Sequence, residues 1–565
     1  MRSGFPEKKA LLICLLLLGV GFCLRLWGVF RYDLWCDELV TARYSFNSVA
    51  RVASSTHQDP SSILWKNIRT DIHSPPFYLI IHFLSSFVPD CKILRLFSVF
   101  CSMLALFLFW KTVSMLGTFR EYGWSVLLLA MSPLHIWYAQ ELRGYSFFVM
   151  WTVIVLWIVL KIVSVQPRWA FLLLIIIGPI ATISYLPLGI FVLTVFVMFM
   201  MKKSFVHQRH FLVAGLILCL FGVFVSYYLY DWQRLRPDFS WIPFKLDSLF
   251  WLLSVFNLGY SATVAQQILG VFLFGILGVL GARQLFRDQK EIALLLFCLF
   301  LIPIVVIWGL SVYQHSFFLM RYAFFVSPIY YVFVGRGVSL MRHKAVACGV
   351  IITMILLLSI SLNNYYKGYI PARADGDDFY PGIHKKAQYM DALRFIDKGY
   401  REGDILLTSD INATLMIYSF FKEGLSDEHL LLQHQDYTMG IALYRESVEA
   451  YERFLLKFSE EKHRIFTEYA SSGGPCFFLP HVFPSEEKEH VFSKPESRNI
   501  SRVWLISYVW NEHGLNSVNT DSVRQFMRGR CSAVCKTDYE RMRIELFSCR
   551  DNSLKMVSSP ECLCD

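Results

Sequence analysis

Two adjacent carboxylates, Asp37 and Glu38, follow Trp35 and Cys36 just after a long apolar run. A carboxylate in that setting can take a proton from an attacking hydroxyl, or bind a hard cation beside a phosphate. The plainer alternative is a solvated helix start, because acidic side chains suit helix N-termini. A second set is written in SPLHIWYAQELRGYSFF, which carries Tyr138, Gln140, Glu141, Arg143 and Tyr145. Glu141 and Arg143 either serve a substrate or pair with each other, as ionisable groups beside membrane spans often do. A third set holds Tyr313, Gln314, His315, Arg321 and Tyr322, where Arg321 either binds a phosphate bidentately or snorkels to the interface. His73, in HSPPFYL, is either a metal or phosphate ligand or a polar surface residue.

The elements that must position these residues are membrane helices. The chain has 565 residues, 55% apolar and 17% charged, with a mean hydropathy of +0.44. Soluble domains are about 25% charged, so a soluble globular enzyme is excluded, as is a disordered chain. The apolar excess recurs from residue 10 to residue 362, which also excludes a single-anchor protein. The formal charge of +10 is spread as short basic clusters between apolar runs, so it describes topology and implies no nucleic-acid partner.

A bilayer core takes roughly 20 apolar residues of helix. Eleven runs qualify, near residues 10–30, 92–111, 122–139, 145–163, 169–184, 187–201, 211–230, 262–282, 291–310, 322–338 and 345–362. Pro76 to Val88 is too short to cross and reads as a re-entrant or interfacial helix. With the N-terminus inside, thirteen Lys and Arg residues fall in the inner loops, from Lys111 and Arg120 through to Arg336, Arg342 and Lys344. The short outer loops hold five, namely Arg143, Arg234, Arg236, Lys245 and Arg321. That bias predicts a cytoplasmic N-terminus, an uncleaved first anchor and an extracytoplasmic C-terminus. All three candidate sets then meet the same outer face.

The expected division is a transmembrane catalytic module over residues 1–362, with a long first outer loop over 31–91, and a soluble α/β domain over 363–565. In the tail, Tyr389, Leu393 and Ile396 recur at helical spacing, and Gly403 and Asp404 turn into a strand at Ile405–Thr408. A second helix is expected through Tyr444, Val448, Tyr451, Leu455 and Phe458. Further strands are expected at Cys476–Leu479, Val503–Val509 and Met542–Phe547. Six tail cysteines, Cys476, Cys531, Cys535, Cys549, Cys562 and Cys564, fit up to three disulfides better than a zinc site. Cys36 and Cys91 share the first outer loop, either paired or as thiols. Asn412 and Asn499 match the N-glycosylation pattern, which matters only in a eukaryotic secretory setting. Walker A, GxGxxG and GxSxG elements are missing from the sequence.

The segments WCDELVTARYS, HSPPFYLIIHFL, SPLHIWYAQELRGYSFF and HSFFLMRYAFFVSP, with KKAQYMDALRFID and GDILLT in the tail, resemble integral-membrane glycosyltransferases of the GT-C type. Similarity is greatest to the dolichyl-phosphate-mannose protein mannosyltransferase-like and lipid A aminoarabinose transferase-like group, over residues 8–362. The resemblance implies an inverting membrane glycosyltransferase with a polyprenyl-phosphate-linked sugar donor and a lipid, glycan or protein acceptor. It would work among membrane lipids, with the bacterial inner (plasma) membrane as the expected location. Asp37 matches the first-loop catalytic aspartate, Glu38 the adjacent acid, and Glu141 and Arg143 the second outer-loop motif, so Asp37, Glu38 and Glu141 are the candidate catalytic residues and Arg143 a substrate-binding one. Tyr138 and Tyr145 flank that motif as substrate-binding candidates, and Arg321 and Tyr322 match an RY pair assigned to the donor phosphate. His73 falls at a metal or phosphate ligand position. Some enzymes of this type use a divalent metal ion and others do not, so Asp37, Glu141 and His73 are the candidate ligands. Cys36 departs from the aromatic or other residue that relatives carry.

Two rivals remain at the level of sequence. A multi-span transporter or flippase of a lipid-linked substrate predicts polar groups near span centres and Gly or Pro breaks in matching halves. A glycan polymerase or ligase would use a diphosphate-linked donor and carry its large outer loop late in the chain.

Overall fold

The computed structural model describes residues 7–32, 75–88, 90–229, 246–313 and 318–370, with Leu34, Glu38 and Thr41. In the tail it describes 389–399, 405–408, 476–478, 502–508, 524, 528, 532–539 and 542–548. The chain divides into two compact units. The described helices up to residue 370 belong to the first, and the tail elements to the second.

The first unit runs α1 (Glu7–Leu26), α2 (Pro75–Ser85), α3 (Cys91–Val113), α4 (Phe119–Met131), α5 (Pro133–Ala139), α6 (Tyr145–Val165), α7 (Arg168–Ser184) and α8 (Leu186–Met201). It continues through α9 (Arg209–Leu229), α10 (Ser248–Leu258), α11 (Val264–Asp288), α12 (Lys290–Tyr313), α13 (Ser327–Ser339) and α14 (Lys344–Tyr366). Among the described residues seven helices are long and apolar enough to cross a bilayer: α1, α3, α6, α9, α11, α12 and α14. Shorter apolar helices are α2, α7, α8 and α10. The chain is a multi-pass membrane protein.

The expected spans at 169–184 and 187–201 fold as α7 and α8, of 17 and 16 residues. The expected run 122–139 is broken into α4 and α5, and 322–338 is a short helix preceded by two tight turns, Met320–Tyr322 and Phe324–Val326. The last helix continues to Tyr366, past the boundary expected at residue 362.

Between membrane helices the hydrophobic effect offers no drive, so close van der Waals packing and polar ties decide the arrangement. α11 and α13 pack backbone to backbone. A Cβ on Gly281 would collide with the Phe333 carbonyl, and one on Gly337 with that of Leu277. At one end of the bundle Arg336 of α13 donates to Glu121 of α4 at 2.7 Å and to Asp288 of α11 at 2.5 Å. Lys202 reaches Glu291 at 2.5 Å, and Gln289 donates to the Leu116 carbonyl. These are residues that the charge bias assigns to the inner face, and the helices bring several of them together.

In the tail, α15 (Tyr389–Gly399) precedes a five-stranded sheet with order β2-β1-β3-β5-β4. The strands are β1 (Ile405–Thr408), β2 (Cys476–Phe478), β3 (Arg502–Tyr508), β4 (Ser532–Tyr539) and β5 (Met542–Ser548). β1 pairs in parallel with β2 and β3, and β5 pairs antiparallel with β3 and β4. Trp504 and Phe547 are fully buried, and Phe395 of α15 meets Trp504 edge-on. Buried Glu545 is held by Arg524 at 2.5 Å, so the interior charge is paired. The expected helix through Tyr444 to Phe458, both glycosylation sites, Cys36, and Cys531, Cys549, Cys562 and Cys564 lie outside the described residues, as do the side chains of Cys91 and Cys476.

Candidate active site

Ser132 takes an extended ψ of 117° ahead of Pro133, as a residue before proline must, and this ends α4. Pro133 then opens α5 at the position where its missing N–H costs least. The break leaves the last carbonyls of α4 without helical donors, and Arg25 of α1 supplies them. Its guanidinium donates to Leu129 O at 3.0 Å, to Ala130 O at 2.9 Å and to Ser102 Oγ at 2.7 Å. A fully buried cation thus caps the negative end of a helix dipole. Tyr331 and Ser132 join their hydroxyls at 2.9 Å beside the break.

The seven residues of α5 are all buried, and Gln140 follows them. Gln140 Nε2 donates to the carbonyls of Leu24, Arg25 and Trp27 at 3.1, 3.0 and 2.7 Å. Its Oε1 accepts from Tyr365 at 2.8 Å, which ties the ends of α1, α5 and α14 together. Tyr366 adds a bond to Leu24 O, and Arg31 one to Tyr366 O. The residues between Gln140 and α6 therefore leave from a fixed platform.

Glu141 is fully buried and Arg143 nearly so. The Arg143 amide donates to the Glu141 carbonyl at 2.8 Å, which folds the segment tightly. Arg143 Nη1 donates to Thr41 Oγ1 at 3.1 Å and to the Tyr78 hydroxyl at 3.0 Å. The rings of Tyr138 and Tyr145 lie 4.4 Å apart, and the hydroxyls of Tyr138 and Tyr260 meet at 2.9 Å. Tyr260 follows Gly259, whose φ of 64° and ψ of −151° suit glycine only. A Cβ there would also crowd Pro133 and the Leu134 amide at 3.1 Å. That glycine lets α10 turn tightly against α5 and delivers Tyr260.

Arg321 sits in the middle of the Met320–Tyr322 turn. Its guanidinium lies within electrostatic range of the hydroxyls of Tyr138, Tyr185 and Tyr260. Glu141 is within the same range of Tyr138 and Tyr260. The Tyr185 hydroxyl donates to the Tyr322 carbonyl at 2.9 Å. One guanidinium, one carboxylate and several phenols therefore gather at one end of the bundle. A guanidinium with phenolic O–H donors can take an anionic oxygen, and a carboxylate beside them can accept a proton or a hydroxyl hydrogen bond.

Of the residues singled out in the sequence, the fold brings Tyr138, Glu141, Arg143, Tyr145, Arg321 and Tyr322 into this region. Glu38 is buried and belongs to the second unit. Asp37, His73, Gln314 and His315 lie outside the described residues, as does the side chain of Tyr313. Among the described residues no three His, Cys, Asp or Glu side chains are grouped as a metal site. Tyr185, Tyr260, Tyr78 and Thr41 enter from the structure alone. A signal for Tyr185 was its position between two apolar runs directly before Leu186 and Pro187, where a helix must restart.

No family model and no curated protein matches the sequence. Solved structures do match in fold. ArnT from Cupriavidus metallidurans in the apo state superposes with a TM-score of 0.52 at 12% identity, covering 94% of this chain and 97% of that one. The same protein bound to undecaprenyl phosphate gives a TM-score of 0.46 at 12% identity over the same shares. The chain has an ArnT-like fold of the GT-C type.

Proposed function

We propose that this chain is a membrane glycosyltransferase that moves a sugar from a polyprenyl-phosphate-linked donor to a lipid, glycan or protein acceptor on the extracytoplasmic side, with inversion. The observation that carries this reading is an ArnT-like bundle in which Arg321 and Glu141 both lie within electrostatic range of the paired Tyr138 and Tyr260 hydroxyls. The acceptor oxygen attacks the anomeric carbon while the bond from that carbon to the phosphate oxygen breaks. Positive charge builds on the sugar, as in glycoside chemistry, and negative charge builds on the departing phosphate. Arg321 takes the phosphate oxygens, with phenolic donors beside it. Asp37 takes the acceptor proton, and Glu38 and Glu141 complete the catalytic acids around it.

The wider architecture is part of the same reading: eleven crossings, a cytoplasmic N-terminus, the inner membrane of a bacterium, and an extracytoplasmic α/β tail. The ion pairs of Arg336, Glu121, Asp288, Lys202 and Glu291 lie at helix ends assigned to the inner face, while Glu141, Arg143 and Arg321 lie at the opposite ends. The fully buried cation Arg25, described between these ends, is spent on backbone carbonyls and Ser102 as a helix cap, so the charge held at the two ends favours surface chemistry over passage through the midplane, the pattern a transporter or flippase would use. A divalent cation, where one takes part, would draw on Asp37, Glu141 and His73 and would neutralise phosphate charge.

The test is release of polyprenyl phosphate by the full-length protein in nanodiscs, offered a panel of polyprenyl-phosphate-linked sugars and total envelope lipids as acceptors. Release with at least one donor, lost in Asp37→Asn, is expected. Release from none of the panel, or equal release by Asp37→Asn, would contradict the reading.

A further inference from the structure

Of the phenols near Arg321, Tyr185 differs in that it is buried and spends its hydroxyl on the backbone of the turn that carries Arg321, so it is no donor to a bound phosphate. It is the extended residue between α7 and α8, with φ −159° and ψ 111°. Its ring stacks on Phe148 with centroids 4.1 Å apart and planes 4° from parallel, and it meets Phe325 edge-on at 5.7 Å. Two aromatic contacts therefore fix the ring, and the hydroxyl is aimed by that fixation. It donates to the Tyr322 carbonyl at 2.9 Å. That carbonyl stands at the junction of two short turns, closed by Tyr322 N to Leu319 O at 2.9 Å and Val326 N to Ala323 O at 3.3 Å. Turns this short hold themselves weakly, so an external donor matters to where residue 321 points. A phenylalanine would fill the same space and make the same stack, so packing alone does not account for a tyrosine here.

We propose that Tyr185 is a positioning residue: its clamped hydroxyl pins the Tyr322 carbonyl and thereby holds the Arg321 guanidinium in place for the donor phosphate. The proposal rests on the reading of Arg321 as the phosphate ligand. A pre-organised guanidinium loses less freedom on binding, so the benefit falls on donor affinity.

A double-mutant cycle on the full-length protein in nanodiscs tests this, with a polyprenyl monophosphate as the binding probe. Tyr185→Phe is expected to weaken binding about three- to tenfold, the loss of one buried hydrogen bond. Arg321→Ala is expected to weaken it at least about tenfold, the loss of a charge-assisted contact. The double variant should then bind no worse than Arg321→Ala. In turnover, Tyr185→Phe should lower kcat/KM for the donor by a similar factor, and that loss should likewise vanish in the Arg321→Ala background. Hydrogen exchange at the Tyr322 and Ala323 amides should speed up in the same variant. Phe148→Leu, which loosens the stack and keeps the hydroxyl, serves if Tyr185→Phe fails to fold, and its smaller loss should likewise vanish without Arg321. Equal losses from Tyr185→Phe with and without Arg321, or binding like the parent, would overturn the positioning role while leaving Arg321 as phosphate ligand. Unchanged binding in Arg321→Ala would overturn the phosphate reading itself, and the positioning role with it.

Discussion

Replacing Gln140 by glutamate changes one atom type at a junction of three helices, and the consequences can be worked out. The amide offers two N–H donors to three carbonyls, of Leu24, Arg25 and Trp27, at 2.7 to 3.1 Å. A protonated glutamic acid offers one O–H, so at least one donor is lost, at about 1–3 kcal/mol for a buried carbonyl left unmet. An ionised carboxylate would face three carbonyl oxygens, so the folded protein must keep the new group protonated. Its folded pKa is therefore raised above an unfolded value near 4.3. The sign follows: the variant compares best with its parent below about pH 4.3, and the gap widens as pH rises toward the folded pKa. The slope is at most about 1.4 kcal/mol per pH unit and holds until the folded pKa is passed. Thermal unfolding of parent and Gln140→Glu in detergent at pH 5, 6.5 and 8 reads this directly. A gap that stays constant across those pH values would refute the geometry around Gln140.

Three further outcomes follow from the same packing. Gly281→Ala puts a methyl carbon against the Phe333 carbonyl, where α11 and α13 touch. It should cut the yield of monodisperse protein severely on size-exclusion chromatography, whereas Gly275→Ala, with open space around it, should not. Arg25→Lys keeps the charge but replaces a planar fork by a point donor. It should leave one α4 carbonyl unmet and lower thermal stability by about 1–3 kcal/mol, measured by the same unfolding assay. Arg321→Ala should raise the donor KM about ten- to a hundredfold while the protein still inserts, measured by polyprenyl phosphate release.

Helix positions were largely legible from apolar run length, because a membrane span must be both long and apolar. α6, α11, α12 and α14 begin and end within a few residues of their expected runs, apart from the C-terminal extension of α11. The break at Ser132 was written in the Ser-Pro pair, but a run-length reading joins both sides of it. α10 was missed because eleven residues, SLFWLLSVFNL, fall short of a span. In the tail, β4 reads SAVCKTDY, whose polar residues conceal a strand that pairs with only one neighbour. At the candidate site, Glu141, Arg143 and Arg321 stood out because charge is rare beside spans, and Tyr138 by lying next to them in the sequence. Tyr185 and Tyr260 did not, since a tyrosine near a helix end is commonplace at a membrane surface. Their roles rest on hydrogen bonds to residues 137 and 122 positions away, which no local pattern encodes.

The most direct test of the central claim is mass spectrometry of envelope lipids, glycans and glycoproteins from cells lacking the gene, complemented with the wild-type chain or with Asp37→Asn. The account predicts that one discrete sugar is lost on deletion, restored by the wild type, and not restored by Asp37→Asn. No change in any sugar on deletion, or full restoration by Asp37→Asn, would contradict it.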